Sequence, residues 1–365
     1  MTTLRRPDSI FLSIILVLCV FGIIILSSAS SVSAFNSLGD PNGYLKKQIF
    51  ALLIGLLFMV LIMQFNISWL KKVALPIFVI TCLLLFLPFI PGLGQELLGA
   101  RRWVSFGGFF LQPSELVKLS VIIFLSVWFS KRSLHDAEPS RVLFPLLGLL
   151  GVITAILTFQ KDLGTAIVIL AISVVMYFVA GAPVKHFVWI AGLLVVGLFL
   201  LIQSSSYRAA RLNVFLNPEE DAQGNAYQIN QSLLAIGSGG IFGRGLGHSM
   251  QKFNYLPEAE GDSIFAIAAE ELGFILSVGI LALYVGVLWR GIQLARRAGD
   301  AYVRLVITGV VSWFTIQAFI NIGALTSLLP LTGEPLPFIS NGGTSLVVSL
   351  VGVGILLNYS RSLRQ

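Results

Sequence analysis

The chain has 365 residues, 56% of them apolar and only 11% charged, with a mean hydropathy of +0.90. That leaves too few polar groups to cover a soluble globule, so the chain reads as a polytopic membrane protein. The net charge of +7 invites a nucleic-acid partner, but the basic residues sit in short segments between apolar runs with no basic helix or aromatic-basic module, which excludes nucleic acid.

A hydrocarbon core about 30 Å thick needs about 20 apolar residues per helix, and the apolar runs here far exceed the ~10-residue alternating strands of a membrane barrel. The fold class is therefore all-α. Breaking the runs at charges, prolines and polar clusters predicts about ten spans, at residues 10–31, 48–64, 73–90, 116–129, 144–157, 163–179, 184–201, 263–289, 303–326 and 346–357. The first follows Arg5 and Arg6, is longer than a signal-peptide core and ends in Ser27-Ser28-Ala29-Ser30 without a convincing cleavage site, so it is expected to be a retained signal anchor. Cys19 and Cys82 fall in different spans without a CxxC partner or a ligand-spaced histidine, which indicates neither a disulfide nor a zinc site. No internal repeat appears, and only residues 217–225 look linker-like, so residues 1–365 form a single membrane domain.

An even number of spans puts both termini on one side. The short segments on that side hold Lys71, Lys72, Lys131, Arg132, Arg296 and Arg297 among other bases, but only Asp8, Asp136, Glu138 and Asp300 of the 17 acids. Basic loops stay inside, so both termini are expected to be cytoplasmic. The outer face then receives residues 91–115 and a large extracytoplasmic segment, 202–262, between the seventh and eighth spans. The chemistry is expected there.

In the first of these segments Gly99-Ala100-Arg101-Arg102-Trp103-Val104 reads either as an interfacial anchor or as an anion site, since guanidinium forks bind phosphate bidentately. Downstream, Gln112-Pro113-Ser114-Glu115-Leu116-Val117-Lys118-Leu119 places Glu115 and Lys118 three apart on one helical face inside the fourth span. Such a pair suits a diphosphate site or a structural ion pair. Asp162 precedes the sixth span, where capping the helix is its ordinary role.

The second segment carries an amphipathic stretch, 227–236, suited to the membrane interface, and then the glycine-rich run 237–247. That run matches no nucleotide-binding motif; it is either a flexible loop or a backbone cradle for phosphate, with Arg244 and Lys252 adding charge. Next comes Tyr255-Leu256-Pro257-Glu258-Ala259-Glu260-Gly261-Asp262, three carboxylates at the mouth of the eighth span. Asp262 is either that helix's N-cap or a general base. Glu270 and Glu271, deeper in the span, cannot both face lipid, so at least one is expected to meet a base inside the protein.

These residues resemble the SEDS family of cell-wall polymerases over essentially the full length. The carrying motifs are Ser27–Ser30, GARRW at 99–103, QPSELVKL at 112–119, DLGTA at 162–166, QSLLAIGSGGIFGRGLG at 231–247, the run 251–274 and LPFISNGGTS at 336–345. GARRW, QSLLAIGSGG and QKFNYLPE point to the division branch rather than the elongation branch. The resemblance implies a peptidoglycan glycosyltransferase that polymerises lipid II at the outer leaflet of the bacterial cytoplasmic membrane, at the division septum, with undecaprenyl diphosphate leaving the growing glycan. Asp262 takes the place of the family's essential aspartate, and substrate contacts are expected from Arg101, Arg102, Glu115, Lys118, Asp162, Ser238, Arg244, Lys252 and Glu258. The implied partners are a class B penicillin-binding transpeptidase and other division proteins. No cofactor is certain, and no ligand spacing specifies a metal; a divalent cation, magnesium or manganese, shared with the diphosphate stays open. Gly261 and Ser263 flank Asp262 where the family more often has Thr and Phe, Lys161 stands where Pro is usual, and Asn341 replaces the common Tyr. The rival readings are a lipid II flippase, against which the gathering of interior charge on the outer half speaks, and a non-enzymatic division scaffold.

Overall fold

The computed structural model describes residues 6–97, 100–106, 109–132, 134, 138–203, 215 and 226–363. Residues 204–214 and 216–225, which include the linker-like stretch, lie outside the described residues, as do Gly99 of the GARRW motif, Asp136 and both extreme termini.

Long apolar runs satisfy their own backbone groups as helices. They form α1 (Ser9–Ala29), α3 (Gly43–Gln64), α4 (Leu70–Leu84), α5 (Pro113–Ser130), α6 (Leu143–Phe159), α7 (Leu163–Val179), α8 (Val184–Gln203), α10 (Ile264–Arg297), α11 (Ala301–Leu325) and α12 (Gly343–Ser360). Two short amphipathic helices, α2 (Ser31–Leu38) and α9 (Tyr227–Ser238), flank the bundle. Among the described residues seven helices are long and apolar enough to cross a membrane, α4 counting with its flanking 3-10 turns as Ile67–Phe89; α6, α7 and Val184–Gly197 are shorter apolar helices. Each predicted span overlaps a helix, with ends displaced by up to eight residues. Helix α5 starts earlier than expected because Pro113 occupies its first turn, where a missing N–H costs nothing. Asp8 and Asp300 cap α1 and α11, accepting from the backbone N–H groups of Phe11 at 2.8 Å and Tyr302 at 2.9 Å.

Helices α5 and α11 are buried along most of their length and form the centre; α3 and α4 expose most of theirs. Helix α3 packs along α12, α10 against α1 and α11, and α5 against α4, α7 and α11. The ion pair of Asp8 with Arg290 and the bond from the Asp8 N–H to Ser360 Oγ at 3.1 Å tie the start of α1 to the ends of α10 and α12. Lys71 meets Asp300 at 2.6 Å at this same end. The two termini thus share one end of the bundle, and the buried charges described below lie at the other.

Two features depart from the all-helical expectation. Residues 91–115 are not an irregular loop: β1 (Gly94–Leu97), β2 (Ala100–Phe106) and β3 (Phe109–Leu111) form an antiparallel sheet in the order β1-β2-β3, with Gly94 opposite Val104 and Val104 opposite Leu111. These strands are too short for alternation to show in a hydropathy profile. The eighth span is also broken. Gly273, at φ 76°, interrupts α10 inside its apolar run, and the N–H groups of Arg244, Gly245, Phe274 and the carbonyls of Gly240, Glu270 and Glu271 pair across the break at 2.9–3.0 Å. The glycine-rich loop therefore serves as the hydrogen-bonding partner of an opened helix, which such a backbone requires at membrane depth. A Cβ on Gly273 would overlap the Gly243 amide, so glycine is the residue that permits this approach.

Candidate active site

Strand alternation decides the fate of the two neighbouring arginines. Arg102 shares the inner face of β2 with buried Val104, and its Nη1 lies 3.5 Å from Asp162 Oδ1. Arg101 points the other way, 63% exposed and paired with Glu96 at 2.8 Å, so the expectation that both guanidinium groups converge is corrected.

Asp162 stands at the N-cap position of α7 but makes no capping bond. Its carboxylate turns inward instead, accepting from Ser114 Oγ at 2.8 Å, Gln112 Nε2 at 3.2 Å and Thr165 Oγ1 at 3.0 Å. Thr165 Oγ1 also lies 2.8 Å from Oε1 of Glu334, whose Oε2 is 3.5 Å from Lys118 Nζ. Lys118, wholly buried, meets Glu115 at 2.7 Å as the spacing on α5 predicts, and donates to Gln317 at 2.9 Å. Glu115 Oε2 is buried with no hydrogen-bond partner. Gly164 is close-packed here, because a Cβ would stand 2.7 Å from both Glu334 Cγ and the Thr332 carbonyl.

Asp262 joins this network through the backbone. Asn321 Nδ2 donates to the Asp262 carbonyl at 2.7 Å and to the Glu334 carbonyl at 2.8 Å. The side chain of Asp262 accepts from Gln228 Nε2 of α9 at 3.3 Å, and Ser263 rather than Asp262 is the N-cap of α10. Asp262 thus stands one residue before the cap position, its carboxylate half-buried at the end of the bundle. Its turn is shaped by Glu258, held at φ 50°, whose carbonyl accepts from Gly261 N–H at 2.9 Å and Ser263 N–H at 3.1 Å. A left-handed non-glycine residue costs about 1–3 kcal/mol and marks a turn held by its surroundings. Desolvation, then the nearby charges of Asp262 and Glu260, push the Glu258 carboxyl up to about 7, with Arg102 opposing. For Glu334 burial is the dominant cause and raises its carboxyl well above the usual range, Lys118 opposing and Asp162 and Glu115 adding to it.

The other candidate bases are neutralised elsewhere. Arg244 pairs with Glu270 at 3.2 Å and Lys252 with Glu271 at 3.2 Å, so both glutamates meet a base where at least one was expected to. Glu270 also accepts from the N–H groups of Met250 and Gln251 and from Ser249 Oγ, bracing the loop that leads to Asp262. The Ser238 hydroxyl bonds to the Ala235 carbonyl at 3.0 Å within its own helix. Among the described residues no three His, Cys, Asp or Glu side chains converge as a metal site.

Glu334, Gln317, Asn321 and Thr165 were not legible as site residues, although signals existed. Gln317 and Asn321 stand four apart on one face of an apolar span, and Glu334 is the sole acid between α11 and α12.

The comparisons agree over the whole length. The FtsW/RodA/SpoVE family model, described as a cell cycle protein, matches residues 9–365. Stage V sporulation protein E of Bacillus subtilis (strain 168) is 43% identical over 362 residues, covering 99% of each chain. A probable peptidoglycan glycosyltransferase FtsW of Geobacter sp. (strain M18) is 39% identical over 357 residues, covering 98% of this chain and 97% of the relative. Among solved structures, a chain of a peptidoglycan synthase complex that coordinates polymerization and crosslinking superposes with a TM-score of 0.78 at 27% identity, covering 98% of this chain and 99% of the other. The rod shape determining protein RodA of Thermus thermophilus gives 0.70 at 30% identity, covering 98% of each. With a family model matched almost end to end and full-length relatives at this identity, the chain belongs to the FtsW/RodA/SpoVE family of cell cycle proteins.

Proposed function

We propose that the chain is a peptidoglycan glycosyltransferase that polymerises lipid II at the outer face of the bacterial cytoplasmic membrane, with both termini cytoplasmic, in the service of septal wall synthesis. The observation that carries this reading is the placement of Asp262: a half-buried carboxylate one residue before the N-cap of α10, tied through Asn321 to the segment that meets Lys118. Asp262 takes the proton from the 4-hydroxyl of the acceptor GlcNAc, whose oxygen forms a bond to the anomeric carbon of the donor glycan. The bond from that carbon to the diphosphate oxygen breaks with inversion, and its electron pair leaves with undecaprenyl diphosphate. General-base assistance of this kind contributes about 10²–10⁴-fold. Arg102 and Lys118 face the developing negative charge, in a site where fixed cations need no rearrangement as the bond breaks. A magnesium or manganese ion bound with the diphosphate would neutralise part of its charge; chelation during the assay tests whether one is used.

The division branch is supported by the full-length likeness to the FtsW relative at 39% identity, beside the 43% to the sporulation relative of the same family. A class B penicillin-binding transpeptidase is the partner we propose, supported by the likeness to a chain from a complex named for coupling polymerization to crosslinking.

Asp262→Asn is the direct test. The amide is nearly isosteric, so the purified variant should unfold at a temperature near that of the wild type and still bind the transpeptidase. It should make no glycan strands from labelled lipid II. Polymerisation at the wild-type rate would remove Asp262 as the base.

A further inference from the structure

The hydrogen bonds around Thr165 carry more than the reaction uses. Its hydroxyl lies 2.8 Å from Glu334 Oε1 and 3.0 Å from Asp162 Oδ1, and all three side chains are buried. A hydroxyl has one proton to donate. If both carboxyl groups were ionised, one of them would face the hydroxyl's lone pairs, acceptor against acceptor, in the protein interior. The clash disappears when one acid is protonated and donates to Thr165.

Charge matching says which acid this is. Asp162 has Arg102 and two further donors, Ser114 and Gln112. Glu115 holds Lys118 at 2.7 Å, whereas Glu334 lies 3.5 Å from the same ammonium. Three carboxyl groups thus meet two cations, and Glu334 is the one without a cation of its own. Burial raises its affinity for a proton, in the same direction as the geometry. The charged groups facing Glu334 are Glu115 and Lys118 from α5, Asp162 from the start of α7 with Arg102 of β2 behind it, and Asp262, whose Oδ2 lies 3.8 Å from where a Cβ on Gly333 would stand. Helix α11 presents only the uncharged Gln317 and Asn321.

We propose that Glu334 is a positioning residue held as a neutral carboxylic acid, its O–H donating to Thr165 and Thr165 donating to Asp162, so that the cluster of Arg102 and Lys118 with Asp162 and Glu115 stays neutral instead of presenting a net negative charge to an anionic substrate group. This rests on the reading that these two cations meet a diphosphate and adds the protonation state on which their availability depends. As pH rises and Glu334 loses its proton, a negative charge appears beside Lys118 and the donor chain through Thr165 breaks. The KM for a diphosphate-linked lipid then rises by about tenfold, with kcat changing less. Glu334→Gln fixes the neutral arrangement, because its amide nitrogen donates to Thr165 while its oxygen still faces Lys118.

The test uses the purified full chain with infrared spectroscopy and steady-state kinetics on lipid II. The wild-type minus Glu334→Gln difference spectrum at neutral pH should contain the carbonyl band of a protonated carboxylic acid, and Thr165→Val, which removes the hydrogen-bond acceptor, should shift that band. Between about pH 6 and about pH 8.5, the range in which buried carboxylic acids titrate, KM should climb in the wild type and stay flat in Glu334→Gln. Absence of the band, a band unmoved in Thr165→Val, or a KM that climbs equally in Glu334→Gln would overturn the proposal. The spectrum needs no substrate, so a protein that never polymerised lipid II would sink the polymerase reading while the band still decided the protonation of Glu334.

Discussion

Arg101 and Arg102 are adjacent and chemically identical, yet the pleat of β2 gives them opposite environments. Arg102→Ala should lower polymerisation by about tenfold or more, the scale expected when a charge-assisted contact is removed, whereas Arg101→Ala should stay near wild type. Arg102→Lys keeps the charge without the fork and should be intermediate; rates measured with labelled lipid II for the three variants rank them. Glu258 offers a pH prediction. Its carboxyl is raised from the ordinary 4.5 to about 7, so the folded protein holds a proton that the unfolded chain releases. Its contribution to stability is complete below the unfolded value and is lost as pH rises through about 7. Thermal unfolding temperatures should therefore fall over that interval, and fall less in Glu258→Gln.

Helix α10 is held open by its partner loop rather than by its own ladder. Gly273 lies at φ 76°, ψ −176°, a region reached almost only by glycine, and its neighbour across the break is the backbone of Gly243. Gly273→Ala should destabilise by about 2–4 kcal/mol, combining backbone strain with overlap, and should lower activity because the loop that carries Asp262 hangs from this junction. Unfolding in detergent, followed beside polymerisation, would measure both; an unaltered Gly273→Ala protein would mean that the junction relaxes freely.

At the scale of the bundle, charge is confined to one end of an otherwise apolar interior, and Glu115–Lys118 is its deepest pair. Lys118→Met leaves Glu115 buried without a counter-charge and should cost about 3–5 kcal/mol, while Glu115→Met combined with Lys118→Met should recover most of that stability. Neither should polymerise, because the cation is gone in both. A cysteine replacing exposed Tyr255, in a background lacking Cys19 and Cys82, should react with an impermeant reagent added outside intact cells. Labelling only after the membrane is opened would invert the topology and the proposed function with it.

Hydropathy and loop charge sufficed for the helical class, the approximate positions of the spans and the sharing of one end by both termini, because these follow from the thickness of a bilayer and the local chain alone. The motifs sufficed for the family. The i, i+3 spacing of Glu115 and Lys118 was legible for the same local reason. Three-dimensional packing settled the rest: that Arg102 turns inward and Arg101 outward, that Arg244 and Lys252 are taken by Glu270 and Glu271, and that Asp162 forgoes its cap. Each depends on which side chain stands opposite across tens or hundreds of residues. Glu334 shows this most clearly, since a lone acid in a proline-rich connection has nothing in its neighbours to mark it until folding sets it beside Lys118 and Thr165.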